Sequence, residues 1–132
     1  SKKITTEMLA SSGSEDGNQM ALFAWAATAI AEYPQLKYLF AIPNGGSRHI
    51  AEATKMVATG LRSGVPDVCL PWPNINYAGL WLEMKIKKGK VSKEQKDWLD
   101  YLSSVGYDTA VCYSWQEAKD KILGYLDASQ RP

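Results

Sequence analysis

Residues 79–87 read GLWLEMKIK, with apolar side chains alternating with charged or aromatic ones. Successive side chains of a β-strand point to opposite faces, so this period of two predicts a strand with two unlike faces. One face would carry Leu80, Leu82, Met84 and Ile86, and the other Trp81, Glu83, Lys85 and Lys87. We expect the apolar face to lie on the core and the charged face to open to a cleft or to water.

Helix and strand signals alternate on the N-terminal side of this strand. Ser14 can cap a helix that runs to about Tyr33, where Pro34 ends it. Residues 38–42 are apolar and predict a buried strand, and residues 67–70 predict a short one. Between these two strands, helical spacing predicts a helix closed by Gly64 with the apolar positions Ile50, Ala53, Val57 and Leu61.

The C-terminal side continues the same alternation. Ser92 and Gln95 form a capping box that opens a helix ending near Gly106. Residues 107–113 predict a strand, and a second capping box of Ser114 and Glu117 opens the last helix. The order predicts an α/β fold in which helices flank a small mixed sheet.

Length and composition narrow the class of protein. The chain has 132 residues, which fits a single domain over 1–132, with the small polar segment 1–13 loosely packed at its start. Fifteen basic and fourteen acidic residues argue against a polybasic DNA coat or membrane binder. The longest nearly apolar stretch, residues 20–31, is too short to cross a membrane, and no secretory signal is visible. We therefore expect a cytoplasmic protein.

Cysteine and glycine patterns exclude several kinds of site. Cys69 and Cys112 both lie in apolar, strand-like runs, which favours reduced thiols in the core. One histidine and two cysteines are too few for a zinc site of four Cys and His ligands. The sequence has no phosphate-binding glycine loop and no dinucleotide fingerprint, so no organic cofactor is predicted.

Three charged residues form the candidate catalytic group. Glu83 and Lys85 are two apart on one strand, and fifteen residues separate Asp67 from Glu83, enough for strand, turn and strand. Two adjacent carboxylates repel unless a proton or a cation lies between them, and oxygen ligands suit Mg²⁺ or Mn²⁺. A lysine beside such an ion can hold a water for phosphodiester hydrolysis. The alternative is a solvated Glu–Lys pair on an exposed strand.

At these residues the chain resembles the VRR-NUC (virus-type replication-repair nuclease) domains of the PD-(D/E)xK nuclease superfamily. The resemblance covers about residues 14–127. Its pieces, in order, are Pro43-Asn44-Gly45-Gly46, Gly64-Val65-Pro66-Asp67, Leu82-Glu83-Met84-Lys85, Ser92-Lys93-Glu94-Gln95 with Trp98-Leu99, and Gly106-Tyr107. The resemblance implies a restriction-endonuclease-like αβββαβ core.

The resemblance also implies roles for individual residues. Asp67 and Glu83 would bind Mg²⁺ or Mn²⁺, the backbone carbonyl of Met84 would complete the protein ligands, and Lys85 would be the motif lysine. Gln95 would approach the attacking water or the phosphate, although its place in the capping box is a sufficient structural reason for it.

An acid followed four residues later by glutamine is a further family feature on the first helix. Glu15 and Gln19 have that spacing and would share one helix face. Glu15 would then be a further metal ligand, usually reached through water. Asp16 is the competing acid, and a simple role for Glu15 in the first helical turn stays open.

Basic residues after the catalytic strand predict contacts with DNA phosphates. The candidate DNA-binding residues are Asn44, Arg48, Lys87, Lys88, Lys90 and Lys93. A lysine-protected hairpin edge is the alternative reading of the lysines.

The predicted function is metal-dependent DNA endonuclease activity, with branched DNA such as four-way (Holliday) junctions as the substrate that the resemblance implies. A homodimer would suit a two-fold symmetric junction, and phage DNA processing or repair is the setting that the family suggests. The alternatives are a nuclease of the same superfamily acting on flaps, nicks or duplex ends, and a catalytically silent nucleic-acid-binding module.

Overall fold

The computed structural model describes residues 14–43, 54, 55 and 57–128. Within these ranges the chain forms an α/β structure around a mixed sheet, as the sequence predicts. The predicted loose segment 1–13 and the candidate DNA contacts Asn44 and Arg48 lie outside the described residues. Of the predicted helix between the first two strands, the described residues 54, 55, 57 and 58 are helical.

The sheet has four strands in the described part of the chain: β1 (Phe40–Ala41), β2 (Val68–Leu70), β3 (Leu80–Met84) and β4 (Asp108–Cys112). They lie in the order β1-β2-β3-β4. The first two pairs are antiparallel and the third is parallel, so the sheet is mixed. The GLWLEMKIK stretch therefore provides a central strand.

Apart from the helical residues 54, 55, 57 and 58, three α-helices and a short 3₁₀ helix accompany the sheet over the described ranges. They are α1 (Glu15–Ala29), the 3₁₀ helix Pro34–Tyr38, α2 (Lys93–Ser104) and α3 (Trp115–Asp127). Helices α1 and α3 contribute to the hydrophobic core beneath one face of the sheet, and α2 packs on β3 and β4. No helix within the described residues is both long and apolar enough to span a membrane.

Two of the predicted helix caps are present as expected. The Ser14 hydroxyl accepts the Gly17 N–H at 2.8 Å. Ser92 and Gln95 form both bonds of the capping box, one between the Ser92 hydroxyl and the Gln95 N–H and one between the Gln95 side chain and the Ser92 N–H. These bonds satisfy amide groups that a helix N-terminus leaves without intrahelical partners.

The second predicted capping box is only half correct. The Ser114 hydroxyl accepts the Glu117 N–H at 3.1 Å, as expected. The Glu117 carboxylate, however, accepts the N–H of Tyr113 at 2.8 Å, one residue before the cap. The helix start is stabilised all the same, because the acid remains near the positive end of the helix dipole.

The apolar run around residues 38–42 was wrongly predicted as a buried strand. Its first part ends the 3₁₀ helix, and only Phe40–Ala41 pairs with the sheet, at an edge. Tyr38 is 58 % exposed and Phe40 41 % exposed, because Leu36 and Leu39 fill the core instead. Helix α1 also ends at Ala29 rather than near Tyr33.

A buried polar contact fixes α1 against α3. The Asn18 side chain accepts the Trp115 N–H at 3.0 Å and donates to the Ser14 carbonyl at 3.1 Å. Buried amides with both ends bonded are favourable, whereas an unpaired one costs free energy. This contact holds the first turn of α1, and therefore Glu15, in a set position.

Candidate active site

Two residues of the predicted charged face, Glu83 and Lys85, are buried, whereas Lys87 is exposed. Glu83 is 1 % exposed, as little as Leu82 and Met84 of the opposite face, and Lys85 is 9 % exposed. Helix α2 packs over this face, and its residue Gln95 reaches Glu83. The alternative of a solvated Glu–Lys pair on an exposed strand is therefore wrong, and the expected cleft is present because a pocket opens beside Glu83.

Asp67 directly precedes β2, and β2 pairs with β3, so Asp67 lies beside the end of β3. The Met84 N–H donates a hydrogen bond to Asp67 Oδ2 at 2.7 Å. On the other side, the Ile42 N–H donates to the Asp67 carbonyl at 2.8 Å. The strand–turn–strand arrangement inferred from the spacing of Asp67 and Glu83 is correct.

Lys85 and Gln95 approach the same oxygen of Glu83. Lys85 Nζ lies 3.8 Å from Glu83 Oε2, and Gln95 Nε2 donates to that oxygen at 3.4 Å. The Lys85 backbone is fixed by its N–H bond to the Cys112 carbonyl, 2.9 Å long. Glu83 Oε1 is buried and has no hydrogen-bond partner among the described residues.

The surroundings strongly favour a protonated Glu83. Burial, then a hydrogen bond with Asp67 and the negative charge of Asp67, raise the pKa of Glu83 to about 9, and Glu15 adds to the rise. Lys85 acts in the opposite direction and lowers this pKa. A buried carboxyl close to other acids takes up a proton or a cation, as the sequence-based argument required.

Two pockets meet at Asp67. The larger, about 430 Å³, is lined by Glu15, Asp67, Glu83 and Gln95 together with the loop that precedes β2. The smaller, about 200 Å³, lies among residues of α1 and the strand ends and is strongly polar. It is lined by Glu15, Asp16, Gln19, Ile42, Pro43, Asp67 and Met84.

The two competing acids of α1 differ in their placement. Glu15 lines both pockets and its charge acts on Glu83, whereas Asp16 lines only the smaller pocket. Glu15 and Gln19 share one helix face, as predicted, and both line the smaller pocket. The geometry therefore favours Glu15 over Asp16 as the acid of this helix.

The donor set fits a hydrated divalent cation better than a closed metal cage. Among the described residues, no three His, Cys, Asp or Glu side chains gather into a metal-binding group. Asp67 lies close enough to raise the pKa of Glu83, however, and Glu83 Oε1 accepts no hydrogen bond from an N–H or O–H group of the described residues, so both carboxyls can supply oxygen ligands. Mg²⁺ typically keeps several waters and takes only one or two carboxylates, which agrees with this arrangement.

A glycine allows the loop before β2 to reach α2. Gly64 has φ +89°, and a Cβ at this position would come within 2.6 Å of the Glu94 backbone. Only glycine combines that left-handed backbone with so close an approach. The contact holds the loop that ends in Asp67 against the start of α2, which carries Gln95.

The predicted lysine contacts lie outside the larger pocket. Lys87, Lys88, Lys90 and Lys93 are exposed, in the turn after β3 and at the start of α2. None of them lines the two pockets at Asp67. Sequence reasoning missed Arg62, which does line the larger pocket and lies five residues before Asp67.

The family model of the VRR-NUC domain matches residues 19–116 of this sequence. The chain belongs to the VRR-NUC family. Membership implies a nuclease of the PD-(D/E)xK type. The matched residues include Asp67, Glu83, Lys85 and Gln95, whereas Glu15 precedes them.

The VRR-NUC chain also resembles a solved structure in fold. A VRR_NUC domain protein superposes with a TM-score of 0.72 at 20 % sequence identity, covering 98 % of this chain and 94 % of that chain. At this identity the likeness establishes the fold alone. No curated protein matches the sequence significantly.

Proposed function

We propose that this VRR-NUC protein is a Mg²⁺- or Mn²⁺-dependent DNA endonuclease that hydrolyses phosphodiester bonds. The observation that carries the proposal is the buried Glu83 carboxyl, which lies beside Asp67, Lys85 and Gln95 and whose Oε1 has no hydrogen-bond donor among the described residues. A buried acid left in this state costs free energy, and such costs concentrate at functional sites.

Asp67, Glu83 and the Met84 carbonyl would hold the cation, with Glu15 acting through water. The bound cation would supply positive charge that stabilises the phosphate as negative charge develops on it. Asp67 already accepts the Met84 N–H, and this bond fixes the Asp67 carboxylate relative to the backbone of Met84, two members of the proposed ligand set. The protein groups are thus preorganised, and preorganisation lowers the cost of reaching the transition state.

Lys85 would orient the attacking water and offset charge on the phosphate. Its ammonium group is almost buried and lies 3.8 Å from Glu83, so it would act on a water or phosphate bound next to that carboxyl, although Lys85 itself does not line the larger pocket. Gln95 would hold Glu83 in place through its amide N–H and leave the other carboxyl oxygen available. Together these contacts position the water for in-line attack.

Branched DNA is the proposed substrate, with a homodimer as the active form. Support comes from the family resemblance and from symmetry, since a two-fold dimer presents two equivalent sites to a four-way junction. The exposed lysines 87, 88, 90 and 93 would bind phosphates outside the pocket. An assay on a labelled four-way junction with Mn²⁺ tests the proposal.

Asp67→Ala and Glu83→Ala should each abolish cleavage while the fold is kept, as judged by circular dichroism. Asp120→Ala is the matched control, because this exposed acid on α3 lines neither pocket at Asp67. Cutting of linear duplex, flaps or nicks without junction cutting would assign a different substrate to the nuclease. Binding without cleavage under any divalent metal would make the protein a silent binding module.

A further inference from the structure

One wall of the larger pocket carries a cation that the proposed mechanism does not use. Among the described residues that line this pocket, Arg62 alone is positively charged, whereas Glu15, Asp67 and Glu83 are acidic. A nucleic-acid strand must bring several phosphates close to these carboxylates. Positive charge at the pocket wall is therefore needed to offset the repulsion.

Arg62 is anchored on one side, while its remaining donors form no hydrogen bond with another described residue. Its Nη1 donates to the carbonyls of Leu61 at 3.1 Å and Val57 at 3.4 Å. A guanidinium has five N–H donors in a planar fork, and here Nε and Nη2 make no hydrogen bond to another described residue. Within the described part of the chain, three donors thus remain for an acceptor that enters the pocket, in the geometry that suits a phosphate.

The backbone next to Arg62 is held close to the site. Gly64 packs against the Glu94 backbone, so the loop cannot move towards α2, and the chain reaches Asp67 three residues later. Ser63 and Gln95 line the same pocket as neutral polar groups. This geometry keeps Arg62 in the pocket wall before any ligand is bound, which reduces the entropy lost on binding.

Arg62 forms no ion pair with the acids of the site that the structure describes. Over the residues that the structure describes, its guanidinium lies within 4.0 Å of no carboxylate, whereas Lys85 lies 3.8 Å from Glu83. The two cations therefore lie in different places, since Arg62 lines the larger pocket and Lys85 does not. Lys85 is beside the proposed reaction centre, and Arg62 stands at a distance from it.

We propose that Arg62 binds a backbone phosphate adjacent to the one that is hydrolysed. The inference rests on the proposed nuclease function and adds a substrate contact to it. A contact to a neighbouring phosphate is equally strong in the ground state and in the transition state. Its loss should accordingly raise KM and leave kcat nearly unchanged.

Salt dependence gives a readout that a purely structural role would not change. Each phosphate contact contributes about 0.7 to 0.9 to the slope of log affinity against log salt concentration. Binding of a labelled four-way junction would be measured in a Glu83→Gln background, which should prevent cleavage. Arg62→Gln should weaken binding about tenfold and lower the slope by about 0.7 to 0.9.

Two further variants control this measurement. Arg62→Lys keeps the charge and should keep the slope, and Lys37→Gln, an exposed cation on the 3₁₀ helix that lines neither pocket, should change neither slope nor affinity. Because Arg62 is exposed, the melting temperature should stay the same in all of them. A slope unchanged in Arg62→Gln, or no junction binding by any variant, would overturn the assignment.

The outcomes separate this inference from the proposed function. If the wild-type protein cuts the junction but Arg62→Gln keeps the full salt slope and KM, the nuclease proposal stands and the Arg62 contact is lost. If the wild-type protein cuts nothing under any divalent metal but the slope falls in Arg62→Gln, the phosphate contact stands and the nuclease proposal fails.

Discussion

Both faces of the sheet are buried at the C-terminal end of β3, but they bury different kinds of side chain. On one face Leu80, Leu82 and Met84 pack into the apolar core. On the other, Glu83 and Lys85 lie beneath α2, and one oxygen of Glu83 has no partner among the described residues. The first face gains free energy by leaving water, and the second loses it.

The apolar face of the strand therefore contributes to stability, whereas the charged face contributes to the proposed active site. Burial of leucine stabilises the fold without regard to any ligand. Burial of a carboxyl beside Asp67 is costly until a proton or a cation joins it. Changes on the two faces should therefore have opposite signatures, one in folding and the other in activity.

The largest expected effect is on the charged face. Lys85→Ala should lower the cleavage rate about 10²- to 10⁴-fold, because it removes the group that we propose orients the attacking water. Mn²⁺ binding measured by calorimetry should be retained, since Lys85 is not a proposed ligand. Full turnover by this variant would remove Lys85 from the mechanism.

The apolar face should respond in stability. Leu82→Ala should lower the free energy of unfolding by about 2–5 kcal/mol, because it leaves a cavity in the core, and urea denaturation measures the loss. At temperatures where both proteins are folded, its cleavage rate should remain within a few fold of wild type. A loss of activity as large as that of Lys85→Ala would erase the distinction between the faces.

A smaller effect should appear in the pH dependence of stability. Folded Glu83 keeps its proton up to about pH 9, and the unfolded chain releases it near 4.5. In that window the folded state binds more protons, so without metal this group lowers the free energy of unfolding as pH rises.

Glu83→Gln removes this titration and should flatten the decline. Urea unfolding in a chelator, at about pH 5 and about pH 8, compares the two proteins. The substitution should stabilise the metal-free protein relative to wild type at the higher pH. An identical pH dependence in both proteins would mean that burial does not raise the pKa of Glu83.

The smallest expected difference concerns the two thiols, one towards each face. Cys69 pairs with Trp81 and Cys112 with Met84, so the register places them on opposite faces. Burial raises the pKa of each thiol to about 11. Both should react with iodoacetamide slowly and alike, with roughly a hundredfold less thiolate than at the ordinary pKa of 9.0. Fast labelling of either would show that its face opens.

The alternation in residues 79–87 predicted the two faces correctly as far as Lys85, because the period of a strand is a local property. It was wrong for Ile86, which was placed on the core face but is 38 % exposed, since the strand ends at Met84. It did not predict that the charged face is covered, since α2 and the Gly64 loop come from other parts of the chain. The same limit explains Arg62, which no local motif connects to Glu83. The spacing of Asp67 and Glu83 correctly predicted that they lie on paired strands, because this required only a hairpin with a long turn.

The sequence pattern also gave a wrong prediction for a segment whose composition suits either a strand or a 3₁₀ helix. The run at 38–42 has the residues of a strand, but Pro34 begins a 3₁₀ helix whose Leu36 reaches the core. Once Leu36 and Leu39 are buried, Tyr38 and Phe40 are left outside. Which of two apolar sets enters the core depends on packing, and a single sequence does not reveal it.

The Gln95 side chain makes two contacts at once, and these limit which residue can replace it. Its carbonyl oxygen accepts the Ser92 N–H, which leaves the amide nitrogen directed at Glu83. Glutamate would begin the helix as well as glutamine does, since either completes a capping box. A carboxylate there would face Glu83 oxygen to oxygen. The requirement for a side chain that accepts at one end and donates at the other is therefore imposed by the site, and the helix alone would not demand it.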